Sequence, residues 1–195
     1  MSRPLRALIL FFLVASCGSS GDYAAPRNLE DACDIVDERP KYLKAMRKSE
    51  RRWGIPVSVQ MATIHQESKF IGNARTPLRF TLGVIPMGRQ SSAYGYSQAL
   101  DGTWDEYREE TGNRRAKRDD IDDATDFMGW YMDATARRLG IAKSDAQNQY
   151  LAYHEGRTGF ARGSYNGKPW LINVAAKVGQ RARRYDDQLR LCRKV

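Results

Sequence analysis

Residues 54–70, GIPVSVQMATIHQESKF, decide the fold of this chain, because they predict a buried helix that ends on a carboxylate. Pro56 suits the first turn of a helix, and Glu67 follows Ile64 by three residues, at the border of the apolar face. Burial and the negative end of the helix dipole both raise the pKa of a carboxyl group, as a general acid near neutral pH requires. The apolar face itself is predicted to consist of Val57, Met61, Ile64 and Ile71.

Similar signals predict helices along most of the chain. Residues 40–53 place Tyr42, Ala45 and Met46 on one face and end before Gly54. Further helices are predicted at 28–36 with Asn28 as cap, 103–112, 121–139, 144–154 with Ser144 in a capping box, and 169–192 with a kink near Gly179. Only residues 78–88 indicate strand and turn. The prediction is therefore one mostly α domain over 29–195, with a small β excursion in a long connection between helices. We expect Trp104, Trp130 and Trp170, at helical positions, to lie in its core.

The first sixteen residues predict an export signal. Arg3 and Arg6 precede the apolar run ALILFFLVAS, which ends in small residues immediately before Cys17 and is too short to span a bilayer comfortably. The stretch LVASC resembles a bacterial lipoprotein signal, and this resemblance implies lipid on Cys17. Gly18 after the cysteine resembles outer-membrane sorting, so we expect a lipid-anchored protein that faces the periplasm. Residues 17–28 are then a flexible tether.

Cysteine use and charge agree with export. With Cys17 lipidated, Cys33 and Cys192 remain, and an oxidising compartment predicts a disulfide between them; two buried free thiols are the alternative. The formal net charge of +9 favours contact with anionic envelope polymers. Nucleic acid is not the normal neighbour of an exported protein, so we do not expect it as a partner.

Four motifs carry a family resemblance over residues 54 to about 190. Residues 54–74 resemble the catalytic-helix motif of soluble-type (SLT) lytic transglycosylases, whose core of glutamate-serine-x-phenylalanine matches Glu67, Ser68 and Phe70. GYSQAL (95–100), LAYHEG (151–156) and RARRYDDQL (181–189) resemble the later family motifs in the same order. The resemblance implies a lysozyme-like fold and an enzyme that acts on the glycan strands of peptidoglycan. We expect a monomer without a metal or another cofactor.

Site residues follow from these matches. Glu67 is implied as general acid and then base, and a tyrosine of the last motif, Tyr185, as the residue that orients it. Sugar contacts are expected from Ser68, Gln98, Tyr153, His154, Tyr185, Ser91 and Ser92. His154 stands where the family has asparagine, so its sugar contact must be remade or lost. The connection over residues 73–93 is longer than the family pattern leads us to expect.

Two other functions remain open at this point, and a metal site is not favoured. The chain could be a silent peptidoglycan-binding lipoprotein on the same fold, which His154 motivates. It could instead be a hydrolytic muramidase, with a second carboxylate from Asp101, Asp105 or Glu106. A metal site built from both histidines, Glu67 and Glu155 lacks the compact spacing of known ligand patterns.

Overall fold

The computed structural model of the protein describes residues 23–81 and 85–194, without the side chains of residues 79–86. This part of the chain is mostly helical and contains one antiparallel hairpin, which confirms the predicted class. The predicted signal over 1–16 and Cys17 lie outside the described residues. In chain order the elements are α1 (Ala32–Glu38), α2 (Pro40–Trp53), α3 (Val57–Ser68), β1 (Leu78–Thr81), β2 (Ile85–Arg89), α4 (Asp101–Thr111), α5 (Ile121–Leu139), α6 (Ala146–Ala161), a 3-10 turn (Ser164–Gly167) and α7 (Pro169–Leu191).

Helix α3 is the centre of the domain, because α2, α5, α6 and α7 pack around it. Its predicted apolar residues within the helix are buried, but so are polar side chains on its other faces. The amide nitrogen of Gln60 is satisfied by donating to the carbonyl oxygens of Met46 (3.1 Å) and Ile55 (2.8 Å). Ile71 lies beyond the helix end and is 38% exposed, so its assignment to the buried face was wrong. Glu67 therefore sits at one end of a helix buried all round, rather than beside a stripe.

Several helix ends differ from the predicted ones. Asp31, not Asn28, caps α1, since its carboxylate accepts hydrogen bonds from the backbone N–H groups of Cys33 and Asp34. Asp145, not Ser144, caps α6 through the N–H of Asn148. A carboxylate at these positions also complements the positive end of the helix dipole.

The predicted kink in the last helix is wrong, and a kink occurs in α6 instead. α7 is continuous through Gly179, where an added Cβ would lie 3.2 Å from the Cβ of Gln147. Glycine there allows α6 and α7 to approach closely. In α6 the break is at Gly156, whose φ of 73° and ψ of 154° are open essentially only to glycine. The predicted end of a helix at this residue corresponds to that break.

The long connection between α3 and α4 contains the predicted β excursion. β1 and β2 pair antiparallel, with an irregularity in register between Leu78 and Phe80. The two sides of the loop are joined near its base, because the Thr76 hydroxyl donates to the Ser91 carbonyl oxygen at 3.0 Å. Arg75 also pairs with Tyr94, and its guanidinium lies 4.2 Å from the centre of that ring.

Aromatic side chains fill the core between α4 and α5. Neighbouring ring centroids among Trp104, Tyr107, Phe127 and Trp130 lie 5.1 to 5.8 Å apart. Trp104 and Trp130 are 5% and 3% exposed, as predicted. Trp170 is 55% exposed, so the expectation that it belongs to the core was wrong.

The two ends of the domain are joined. The predicted disulfide is present between Cys33 and Cys192, and it closes a loop with a sequence separation of 159. Residues 23–28, which the sequence assigned to the tether, lie on the domain. Tyr23 accepts a backbone hydrogen bond from Gly72 at 3.1 Å, and Arg27 binds the carboxylate of Glu38. None of the described helices is long and apolar enough to cross a membrane.

Candidate active site

The end of α3 is fixed by the residues that follow Glu67. Phe70 is fully buried and stacks on Tyr42, with ring centroids 5.7 Å apart and an interplanar angle of 10°. The Ser68 hydroxyl donates to the Ile64 carbonyl oxygen at 3.3 Å, within the helix itself. Ser68 is thus placed to hold the last turn, with its hydroxyl proton committed to the backbone. Together these contacts hold Glu67 at a rigid helix end.

Glu67 is a half-buried residue whose carboxyl group is largely desolvated. Burial raises its pKa from the usual value of 4.5 to about 7, because the charged form loses hydration. A hydrogen bond from the Tyr150 hydroxyl and the charge of Lys69 act in the opposite direction. Near neutral pH the group is therefore divided between its protonated and ionised forms. Such a carboxyl group can both donate and accept a proton.

Two tyrosines of α6 reach the neighbourhood of this carboxyl group. Tyr150 donates its hydroxyl hydrogen to Glu67, and burial together with the Glu67 charge raises the pKa of Tyr150. Tyr153 donates to the carbonyl oxygen of Ser97 at 2.6 Å, and burial and the nearby Glu67 raise its pKa as well. Both tyrosines remain neutral donors at physiological pH. Tyr150 was missed in the sequence, although it precedes Tyr153 by three residues and so shares its helix face.

The second motif forms a tight turn opposite α6. Gly95 has φ of 81°, and an added Cβ would lie 2.0 Å from the carbonyl oxygen of Arg118, so only glycine fits. The Gln98 side chain donates to the carbonyl oxygens of Ala74 (3.0 Å) and Gly95 (2.8 Å). Its amide nitrogen is thus occupied in holding the turn that presents Ser97 to Tyr153.

The structure does not make the predicted contact between Tyr185 and Glu67. The Tyr185 ring is buried against His65, and its hydroxyl donates to the carbonyl oxygen of Leu29. A tyrosine has a single hydroxyl hydrogen, so this donation leaves none for Glu67. Tyr150 occupies the orienting position instead, and Tyr185 joins α7 to the N-terminal segment.

The remaining predicted sugar contacts fall into two groups. Ser91 and Ser92 lie in the loop before the second motif, where their hydroxyl oxygens accept from the backbone N–H groups of Ala93 (3.3 Å) and Asp101 (3.1 Å). These bonds shape the loop and the start of α4. His154 is exposed on α6, beside Tyr150 and Glu155. Of Ser91, Ser92 and His154, it is therefore His154 whose exposed side chain lies next to Tyr150, the residue that contacts Glu67.

Other acidic groups lie in surroundings of their own. Asp101 pairs with Arg118 at 2.7 Å and Asp105 with Arg108 at 3.3 Å, both on the exposed side of α4, where Glu106 is also exposed. Within residues 23–81 and 85–194, no group of three or more His, Cys, Asp or Glu side chains could hold a metal ion.

Comparison with known families agrees with this geometry. The family model described as "Transglycosylase SLT domain" matches residues 5–192. The chain belongs to this family. No curated protein and no solved structure matches the chain. Membership in the SLT family indicates lytic transglycosylase activity on peptidoglycan in general, and a mostly helical, lysozyme-like fold.

Proposed function

We propose that this SLT-family protein cleaves the β-1,4 bond between N-acetylmuramic acid and N-acetylglucosamine and leaves a 1,6-anhydromuramoyl end. The observation that carries the proposal is Glu67, a carboxyl group on a rigid helix end with a pKa raised to about 7. Tyr150 is the hydroxyl donor that stabilises its ionised form. The single group can therefore serve as acid and then as base within one turnover.

The reaction is balanced in protons. Protonated Glu67 donates to the glycosidic oxygen as the bond to the anomeric carbon breaks, and the leaving sugar departs as an alcohol. The Glu67 carboxylate, held by Tyr150, then takes the proton of the muramoyl 6-hydroxyl, whose oxygen attacks the anomeric carbon. No water is consumed, and Glu67 returns to its protonated form. The acetamido group of the substrate can stabilise the oxocarbenium-like centre without a second protein carboxylate.

The surroundings of Glu67 support one carboxylate rather than two. Among the described residues, burial raises the pKa of Glu67, Tyr150 and Lys69 lower it, and no other carboxylate is among the causes of the shift. Glycosidases with two carboxylates hold them about 5 to 9.5 Å apart, a distance at which one charge affects the other. This argues against the hydrolytic alternative with Asp101, Asp105 or Glu106.

Digestion of purified sacculi followed by mass spectrometry tests the proposal. We expect soluble muropeptides with anhydro ends, lost in Glu67→Gln and retained in the control Glu106→Gln, which removes an exposed carboxylate on α4. Products that have gained water identify a muramidase. Binding to sacculi without any product identifies a silent binding protein, and unchanged turnover by Glu67→Gln removes that residue from the reaction.

We also propose that lipid on Cys17 anchors the protein in the outer membrane, facing the periplasm, as a monomer. The apolar stretch before Cys17 supports this, and so does the Cys33–Cys192 disulfide, since such bonds persist in oxidising compartments. Labelling with a radioactive fatty acid, retained by the native protein and lost in Cys17→Ala, tests the anchor. Membrane fractionation and light scattering in detergent test the location and the oligomeric state.

A further inference from the structure

Trp170 is an exposed aromatic side chain with a fixed neighbour. It lies in the first turn of α7 and is 55% exposed. Its ring meets the His154 ring edge to face, with centroids 5.3 Å apart and an interplanar angle of 78°. A single exposed aromatic residue is common on protein surfaces. Two aromatic rings from different helices in contact with each other instead form an ordered aromatic surface.

A buried carboxylate holds these two rings in place. The side chain of Glu155 is only 4% exposed, although it follows exposed His154 directly. Lys168, two residues before Trp170, binds both oxygens of Glu155 at 2.8 and 3.0 Å, and Ser164 binds it as well. Nδ1 of His154 lies 3.2 Å from the same carboxylate. Glu155 thus fixes the His154 ring and also ties the start of α7 to α6. The proposed reaction makes no use of this carboxylate, which leaves positioning as its role.

The fixed rings continue the line of side chains that starts at Glu67. Tyr150 donates its hydroxyl to Glu67, and its ring lies 6.5 Å from the His154 ring. The Trp170 ring follows at 5.3 Å from His154. Tyr150, His154 and Trp170 thus form a series of neighbouring rings that begins at the residue in contact with Glu67.

We propose that Trp170 and His154 form a binding subsite for an amino-sugar unit of the glycan strand, one or more units away from the bond at Glu67. This rests on the proposed function. One face of a pyranose ring is lined by C–H groups and packs on an indole, and its edge carries hydroxyl and acetamido groups. Nδ1 of His154 faces Glu155, which leaves Nε2 without a partner among the described residues and free for a polar group of the sugar. Glu155 is the positioning residue of this subsite.

Binding of a β-1,4-linked N-acetylglucosamine hexamer to the protein carrying Glu67→Gln tests the subsite without turnover. Isothermal titration calorimetry is expected to show binding about tenfold weaker when Trp170→Ala is added, as loss of one well-packed aromatic contact predicts. Trp170→Phe keeps a ring and should retain most of the affinity. Leu191→Ala is the matched control, because Leu191 is an exposed apolar residue (84%) at the other end of the same helix.

Two results would overturn the subsite. One is equal affinity of the parent and the Trp170→Ala protein for the hexamer. If the native protein still cleaves sacculi in that case, the proposed function holds without the subsite. The other is no binding of the hexamer by the parent. In that case digestion of sacculi by the native protein decides separately whether the proposed function survives.

Discussion

Replacing Tyr150 with phenylalanine tests the link between structure and proton transfer most directly. The change removes one hydroxyl group and leaves the ring that packs against α3. In the native protein this hydroxyl stabilises the ionised form of Glu67, whose pKa is about 7. Without it, the protonated acid persists to higher pH. The expected result is an upward shift of the alkaline limb in the pH profile of kcat/KM, which reports the free enzyme.

The size of the shift follows from the strength of one charged hydrogen bond. Such a bond contributes about 1.5 to 3 kcal/mol, and one pKa unit corresponds to about 1.4 kcal/mol, so the shift is about one to two units. The limb should therefore move from about pH 7 in the native protein to about pH 8 to 9 in the variant. Loss of structure alone would lower the rate at every pH without moving the limb.

Tyr153→Phe is the matched control, because it removes a hydroxyl from the same helix face. That hydroxyl donates to the carbonyl oxygen of Ser97 and not to Glu67. Initial rates of anhydro-muropeptide release from sacculi, at low substrate concentration across neutral and alkaline pH, give the profiles. An unmoved limb in Tyr150→Phe, or an equal shift in Tyr153→Phe, would refute the assignment of Tyr150.

Three further results are expected. Replacing Cys33 and Cys192 with serine removes a cross-link over a sequence separation of 159, and should lower the free energy of unfolding by about 2 to 5 kcal/mol; urea titration that shows no change would contradict this. Gly156→Ala should lower the free energy of unfolding by about 1 to 3 kcal/mol, because φ of 73° with ψ of 154° strains any residue other than glycine. Thermal unfolding of this variant is compared with that of Gly167→Ala, a control at an open position. Burial lowers the pKa of His65 to about 4 from 6.5, so the unfolded chain takes up the proton first as pH falls. His65 alone should therefore lower stability from about pH 6.5 to about pH 4, whereas Glu67, with its raised pKa, contributes in the opposite direction over that range. The measurement is the difference in unfolding free energy between the native protein and His65→Gln, which should shift against the native protein as the pH falls from about 6.5 to about 4.

Much of the fold could be predicted because its signals are local. Gly54 and Gly140 end α2 and α5 in the left-handed conformation, as their positions after apolar helical runs indicate. The raised pKa of Glu67 could also be predicted, because burial of the end of α3 follows from the apolar residues before it. The cysteine pair followed from the compartment that the N-terminal residues indicate.

Contacts between distant segments could not be predicted in the same way. Tyr150 and Tyr185 are both tyrosines in or beside family motifs. Which of them orients Glu67 depends on how α6 and α7 cross α3. The kink at Gly156 rather than Gly179 depends on which glycine faces a neighbouring helix. Trp170 has a helical position like Trp104, but its helix turns that position outward. Each of these outcomes requires the relative placement of helices, which local spacing does not contain.

The N-terminal segment that packs on the domain limits the distance between the domain and an anchor at Cys17. Because Tyr23 is already tied to Gly72, a chain anchored through Cys17 has only residues 18–22 to spare. Fully extended, that length spans about 20 Å. Such a short linker would keep the catalytic domain close to the lipid surface, within reach of the nearest glycan layer. Residues inserted before Tyr23 would then extend the depth of cell wall that the domain can reach.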